Sequence, residues 1–334
     1  MLEHGGNLHD AIRRYGRPRA EWLDLSTGIN PQAYPVPPLS ADAWHRLPEP
    51  STALLQAAQA YYGAPQCLPV AGTQAAIQAL PRLRARSKVV IAAPSYAEHS
   101  YQWRQAGHDV NEVAYDQLEA ELDHCDVMSV CNPNNPTGAR IDPAVLRDWA
   151  VRLAARGGWL IVDEAFGDMT PQESVAAYTA QKGLIVFRSV GKFFGLAGLR
   201  LGFVAAHIDL LQQLADVLGP WTVSGPAQQI GTAALSDKVW QLAMHKQLQE
   251  SGTRLRQLLA EYGKQSSGTA LFQYWQDAHP AQFAEQMAQH GIWVRIFSHG
   301  VRLGLPADEA GWQRLQQALE QTLKQTFRQN QEMK

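Results

Sequence analysis

Trp159-Leu160-Ile161-Val162-Asp163 and Leu184-Ile185-Val186-Phe187-Arg188 are short apolar runs, each ending on a charged residue. Their hydrophobicity is nearly continuous rather than alternating, the pattern of a strand covered on both faces. Lys88–Ala92, Asp126–Cys131 and Leu201–Ala205 read the same way, and the stretches between these runs carry helix signals. In Asp142-Pro143-Ala144-Val145, Asp142 stands as an N-cap and Pro143 at the first helical position, where a missing N–H loses no bond. This alternation, from about residue 50 to 205, predicts a doubly wound α/β domain around a mostly parallel sheet.

The rest of the chain reads differently. Gly225 to Tyr262 is helical, with one long helix after Ser236-Asp237. Ala270–Trp275, Gly291–Phe297 and Val301–Leu305 read as strands with a helix among them, and a last helix runs from about Ala307 to Gln325. The polar tail Arg328–Lys334 is expected to fray. The first 35 or so residues, rich in Pro and Gly, are expected to lack regular structure and to pack on this second unit. The expected division is a large domain over 40–225 and a smaller α+β domain built from both termini, 1–39 and 226–334.

Composition narrows the function. A chain of 334 residues with 46% hydrophobic and 18% charged residues can bury a sizeable core, which excludes extended disorder. A formal charge of -2 gives no electrostatic reason to bind nucleic acid or an anionic membrane. No apolar run approaches the roughly 20 residues that span a bilayer. Met1-Leu2-Glu3-His4-Gly5-Gly6 has neither the basic nor the apolar region of a secretory signal. Cys67, Cys125 and Cys131 lack metal-ligand spacing, so no metal is expected; they read as small buried thiols of a reducing compartment, the cytoplasm.

Ligands of open α/β sheets bind at the carboxyl ends of the strands, and the chemically informative residues fall there. In Ser189-Val190-Gly191-Lys192-Phe193-Phe194-Gly195-Leu196-Ala197-Gly198-Leu199-Arg200, a lysine sits among glycines and aromatics just after a strand. Such a desolvated site lowers the proton affinity of an amine and suits it to Schiff-base chemistry. Arg200 can return to the same pocket as an anion clamp. Ala71-Gly72-Thr73-Gln74 opens a helix whose N–H groups and dipole favour an anion, with ordinary capping as the plainer reading. Asp163 closes a strand, where alone it could equally cap a loop. Cys131-Asn132-Pro133-Asn134-Asn135-Pro136-Thr137-Gly138 makes a rigid, kinked loop. Tyr96 suits either ring stacking or the core, and His99 could support Asp163 from behind. Arg295 and Arg302 lie on neighbouring strand-like segments, where a planar fork can grip a carboxylate or phosphate; Arg295 also suits a surface ion pair.

Taken together these strings resemble the fold-type I enzymes that use pyridoxal 5'-phosphate (PLP), the aspartate aminotransferase superfamily, over about His4 to Leu305. The resemblance implies that Lys192 carries PLP covalently, that Asp163 pairs with its pyridinium nitrogen, and that Tyr96 stacks on its ring. Asn135 would bond its phenolic oxygen, and Gly72, Thr73, Gln74, Ser189 and Arg200 its phosphate. Within the superfamily, His4-Gly5-Gly6-Asn7, Leu25-Ser26-Thr27-Gly28-Ile29-Asn30-Pro31, Arg46-Leu47-Pro48-Glu49-Pro50 and Asp163-Glu164-Ala165-Phe166 resemble the cobalamin-pathway branch of L-threonine-O-3-phosphate decarboxylases. That branch implies a small phosphorylated amino-acid substrate, contacted by Gly28 and Asn135, with Arg302 on its carboxylate and Arg295 and His4 on its phosphate. A homodimer is implied as well.

Two departures bear on the reaction. Phe166 stands where many aminotransferases have a tyrosine on PLP, and Leu47 stands where many have a tyrosine reaching the neighbouring subunit. The bond held perpendicular to the conjugated ring is the one broken, so decarboxylation and transamination differ by geometry. An aminotransferase resembling histidinol-phosphate aminotransferase is the alternative enzyme, and a non-catalytic PLP-fold binding protein the alternative from another class.

Overall fold

The structure, a computed structural model, describes residues 5–332, with side chains as far as Thr322. In chain order the strands are β1 (Leu23–Asp24), β2 (Cys67–Val70), β3 (Lys88–Ala93), β4 (Asp109–Ala114), β5 (Val127–Cys131), β6 (Trp159–Asp163), β7 (Leu184–Ser189), β8 (Gly202–Ala205), β9 (Ser267–Thr269), β10 (Phe272–Gln276), β11 (Ile292–Trp293), β12 (Arg295–Phe297) and β13 (Gly300–Gly304). Contacts divide the chain into two units. One comprises Ala33–Asn135 and Ala139–Met244; the other gathers the chain up to Gln32, Pro136–Gly138 and the chain from His245.

The larger unit is built on a seven-stranded sheet of order β2-β8-β7-β6-β5-β3-β4. Strands β3 to β7 run parallel, while β8 lies antiparallel between β7 and β2. The apolar runs are strands for the reason their composition suggests: every residue of β5 and β7 is buried. Val89, Ile91, Val127, Ile161, Ile185 and Phe187 share one core with Ala76, Ile77 and Leu80 and with Leu211 and Leu214. Burying each large aliphatic contributes about 1.5–3 kcal/mol. Asp142 caps the helix Pro143–Ala154 as expected, its carboxylate accepting the Ala144 N–H at 2.7 Å.

In this unit two strands escaped the sequence reading, as did the short β1 and β9 of the other. β4 is an edge strand with only Val113 buried, and β2 is the opposite edge, where Pro69 is tolerated because one side of the strand needs no ladder bonds.

The smaller unit corrects the reading of the first 35 residues. Leu8–Tyr15 is a helix, since Leu8 and Ala11 bury one face while Ile12 and Tyr15 pack beside Trp22, Ala288 and Trp293. The glycines flank this helix, and Gly16 closes it in the left-handed conformation. β1 pairs in parallel with β11. The run Gly291–Phe297 is two strands, because the chain changes sheets at Val294: β11 joins β1, and β12 joins β13, β10 and β9. Helix Glu309–Glu332 is longer than expected and includes part of the segment read as frayed.

Candidate active site

Lys192 follows β7 by three residues in a loop anchored by Phe193 and Phe194, both fully buried. Phe194 stacks on Trp240 at 5.6 Å and 13°, so the aromatic pair that follows the lysine pins the loop to the core. The Lys192 amine is half-buried, its Nζ 5.4 Å from the centre of the Phe166 ring. The residue that departs from the aminotransferase pattern is therefore a wall beside the amine. It offers a π face, which favours a cation, and no hydroxyl.

Asp163 ends β6, nearly inaccessible, and is gripped twice. Its Oδ1 accepts the Ala165 N–H at 3.0 Å, and its Oδ2 lies 2.9 Å from His99 Nε2. His99 is buried too, stacked on Phe187 with ring centres 6.1 Å apart. Burial is the largest single effect and would pull the imidazole down; the hydrogen bonds and charges of Asp163 and Cys131 together outweigh it and carry it up to about 10. The support from behind that the sequence suggested for Asp163 is thus in place as an ion pair. Cys131 Sγ joins these two groups within 4.8 Å, but each candidate metal donor already has a partner: His99 and Asp163 hold one another, and Cys131 accepts the Ser95 hydroxyl at 3.1 Å.

At the start of helix Thr73–Ala79 the backbone faces a guanidinium across a small space. No side chain caps this helix, and Gly72 precedes it with φ 74. A Cβ on Gly72 would stand 2.4 Å from the Arg200 guanidinium, so a side chain there would fill the space between helix end and arginine. Ser189 and Arg200 flank it, Arg200 itself in the left-handed region with φ 53. The side chain of Gln74 is engaged away from that space. Its Nε2 donates to Glu98 at 2.7 Å and its Oε1 accepts from the Tyr96 hydroxyl at 3.1 Å. The side chain therefore ties Tyr96 to a buried glutamate, leaving the backbone N–H for an anion.

The three asparagines of the kinked loop separate by role. Asn132 bonds both ways with the Ile141 backbone, at 2.8 and 3.2 Å, and Asn134 donates to Pro94 O at 2.9 Å. Both hold the loop; Asn135 lines the cavity. All nine residues that the sequence assigned to the cofactor (Gly72, Thr73, Gln74, Tyr96, Asn135, Asp163, Ser189, Lys192 and Arg200) line that one cavity of about 160 Å³. Glu98, Arg188 and Asp168, buried beside these residues, escaped the sequence reading. A single charged residue inside a helix or strand carries no local sign that the fold will bury it.

The remaining assignments fall in the other unit or outside it. Arg295 and Arg302 face each other directly across the β12–β13 pair. Arg302 is buried, donates to Ser26 O at 2.7 Å and lies 5.2 Å from the Phe272 ring centre. Burial, and then the charge of Arg295, push its guanidinium down to about 9, so the pair favours an anion beside it. Gly28 is buried in the same unit. His4 lies outside the described residues. Leu47 is 65% exposed.

The chain is 52% identical over 322 residues to a threonine-phosphate decarboxylase of Pseudomonas aeruginosa, covering 96% of this chain and 97% of that one. It is 44% identical over 329 residues to a threonine-phosphate decarboxylase of Sinorhizobium sp, covering 95% and 97%. Among solved structures, the histidinol-phosphate aminotransferase of Sinorhizobium meliloti in complex with pyridoxal-5'-phosphate has the same fold. Its TM-score is 0.82 at 20% identity, over 97% of this chain and 96% of that one. The L-threonine-O-3-phosphate decarboxylase of Porphyromonas gingivalis matches with a TM-score of 0.74 at 20% identity, over 90% and 99%. The family model described as Aminotransferase class I and II matches residues 30–321, and the chain belongs to that family.

Proposed function

We propose that the protein is a PLP-dependent lyase that decarboxylates L-threonine O-3-phosphate to (R)-1-amino-2-propanol O-2-phosphate in cobalamin biosynthesis. The observation that carries this reading is the 52% identity, over 96% of the chain, to a threonine-phosphate decarboxylase. The cavity suits the cofactor on physical grounds. The space a Cβ would fill at Gly72 lies between an uncapped helix start and a guanidinium, as a phosphate requires. A carboxylate paired to a charged imidazole stands at one strand end, and an amine follows the next.

Bound there, PLP supplies an electron sink for the bond broken at the substrate Cα. Lys192 would hold the cofactor covalently, Asp163 would keep its ring nitrogen protonated, Tyr96 would cover its ring, and Asn135 would bond its phenolic oxygen. Gly72, Thr73, the Gln74 backbone, Ser189 and Arg200 hold its phosphate. Arg302 grips the substrate carboxylate, and Arg295 with His4 takes the substrate phosphate; Gly28 and Asn135 complete the substrate contacts. Lys192 Nζ, set free when the substrate amine takes its place and carrying the proton that amine gives up, would return a proton to Cα once CO₂ has left. The Phe166 ring beside that amine adds no competing hydroxyl. The family's habit supports a homodimer, and three buried free thiols support the cytoplasm.

Mass analysis of the products after adding O-phospho-L-threonine to the PLP-loaded protein tests the reading. Release of CO₂ with formation of the amino alcohol phosphate is expected. Glutamate formed from 2-oxoglutarate, with no CO₂, would overturn it in favour of a transaminase.

A further inference from the structure

Three charged side chains with 1–3% exposure form a network that the assignments above leave unused. Arg188, on β7, donates from Nη1 to Glu164 at 2.7 Å and from Nη2 to Asp168 at 2.8 Å. The Tyr62 ring lies 4.6 Å from its guanidinium carbon. Glu164 also accepts the Ser174 hydroxyl at 2.5 Å and the Val175 N–H at 2.8 Å. The chain keeps room for the arginine: a Cβ on Gly167 would stand 2.9 Å from Arg188 Nη1.

Two carboxylates around one guanidinium, all desolvated, are a poor way to gain stability, since a well-packed apolar cluster does as well or better. What a planar fork supplies is direction, because it fixes the places of both carboxylates at once. Those places matter through the chain. Glu164 directly follows Asp163, and its N–H bonds Phe187 O at 3.0 Å, extending the β6–β7 ladder by one residue. Arg188 directly precedes Ser189 and the loop that bears Lys192.

We propose that Arg188, Glu164 and Asp168 are positioning residues that fix the Asp163 carboxylate and the Lys192 amine at one separation. The inference rests on the reading that these two groups hold the cofactor. The test uses the PLP-loaded protein with three variants: Asp168→Asn and Glu164→Gln, which are nearly isosteric, and Arg188→Lys, which keeps the charge and loses the fork. Expected in each folded, loaded variant is a kcat lower by about tenfold or more with KM for O-phospho-L-threonine within about twofold. The pH midpoint of the visible absorbance of the lysine-bound cofactor should also move by about half a unit or more. Unchanged kcat and midpoint in folded variants, however far their melting temperatures fall, would reduce the network to a structural part. Should Glu164→Gln fail to fold, Asp168→Asn decides, because it leaves the Glu164–Arg188 pair intact. A wild-type protein with no visible band would overturn the cofactor reading and this inference together, whereas a normal wild type beside unmoved variants overturns the inference alone.

Discussion

His99 and Asp163 meet at 2.9 Å with almost no exposure, and the imidazole holds its proton to about pH 10 against 6.5 when free. A base whose pKa is raised by folding stabilises the fold in full below its unfolded value and loses that contribution as pH climbs through the folded one. The melting-temperature gap between wild type and His99→Asn should therefore shrink steadily from pH 6.5 to about 10. A gap that stays constant over that window would mean that the pair is not an ion pair. Other single residues carry comparable precision. Lys192, Asp163 and Asn135 could be picked out in the sequence because each sits in a string whose residue types all serve one chemistry. Glu98 and Arg188 could not, since their partners Gln74 and Asp168 are brought to them only by the fold.

At the scale of elements, the cavity is made where strands stop and helices start. Asp163 and Ser189 are the last residues of β6 and β7, and Gly72 is the last residue before helix Thr73–Ala79. Gly72→Ala would put a side chain in a left-handed conformation, costing about 1–2 kcal/mol, and its methyl against Arg200. PLP affinity, followed by absorbance titration, should fall by about tenfold or more, since about 1.4 kcal/mol is a factor of ten. Wild-type affinity would show that nothing bulky has to fit there. Asp142→Ala is the contrasting case. Loss of this N-cap bond should cost about 1 kcal/mol of stability in denaturant unfolding and leave turnover unchanged. The elements themselves were legible in proportion to their burial. β5, β6 and β7 announce themselves as apolar runs, whereas β4 shows water mostly polar side chains and β2 contains a proline, so neither carries a strand signal. The helix Leu8–Tyr15 escaped for another reason: Leu8, Ala11, Ile12 and Tyr15 do recur at helical spacing, but over only two turns and between glycines that read as breaking regular structure.

For the whole molecule, the assigned residues sort by unit. Every group given to the cofactor belongs to the unit with the seven-stranded sheet, as does Asn135, which is given to both, whereas Gly28, Arg295 and Arg302, given to the substrate alone, belong to the unit formed by the chain ends. Cofactor binding and substrate binding should consequently separate under mutation. Arg302→Lys keeps a positive charge but removes the planar fork, and a charge-assisted bond of that kind contributes about 1.5–3 kcal/mol. KM for O-phospho-L-threonine should rise by about 10-fold to 100-fold, with the visible absorbance of the bound cofactor unchanged. Arg295→Ala should raise KM for the same substrate by about tenfold, but should leave KM for L-threonine, which has no phosphate, where it was. Equal losses on both substrates would assign Arg295 to the carboxylate, or to holding Arg302 across the β12–β13 pair, and an unchanged KM on both would remove it from the site altogether.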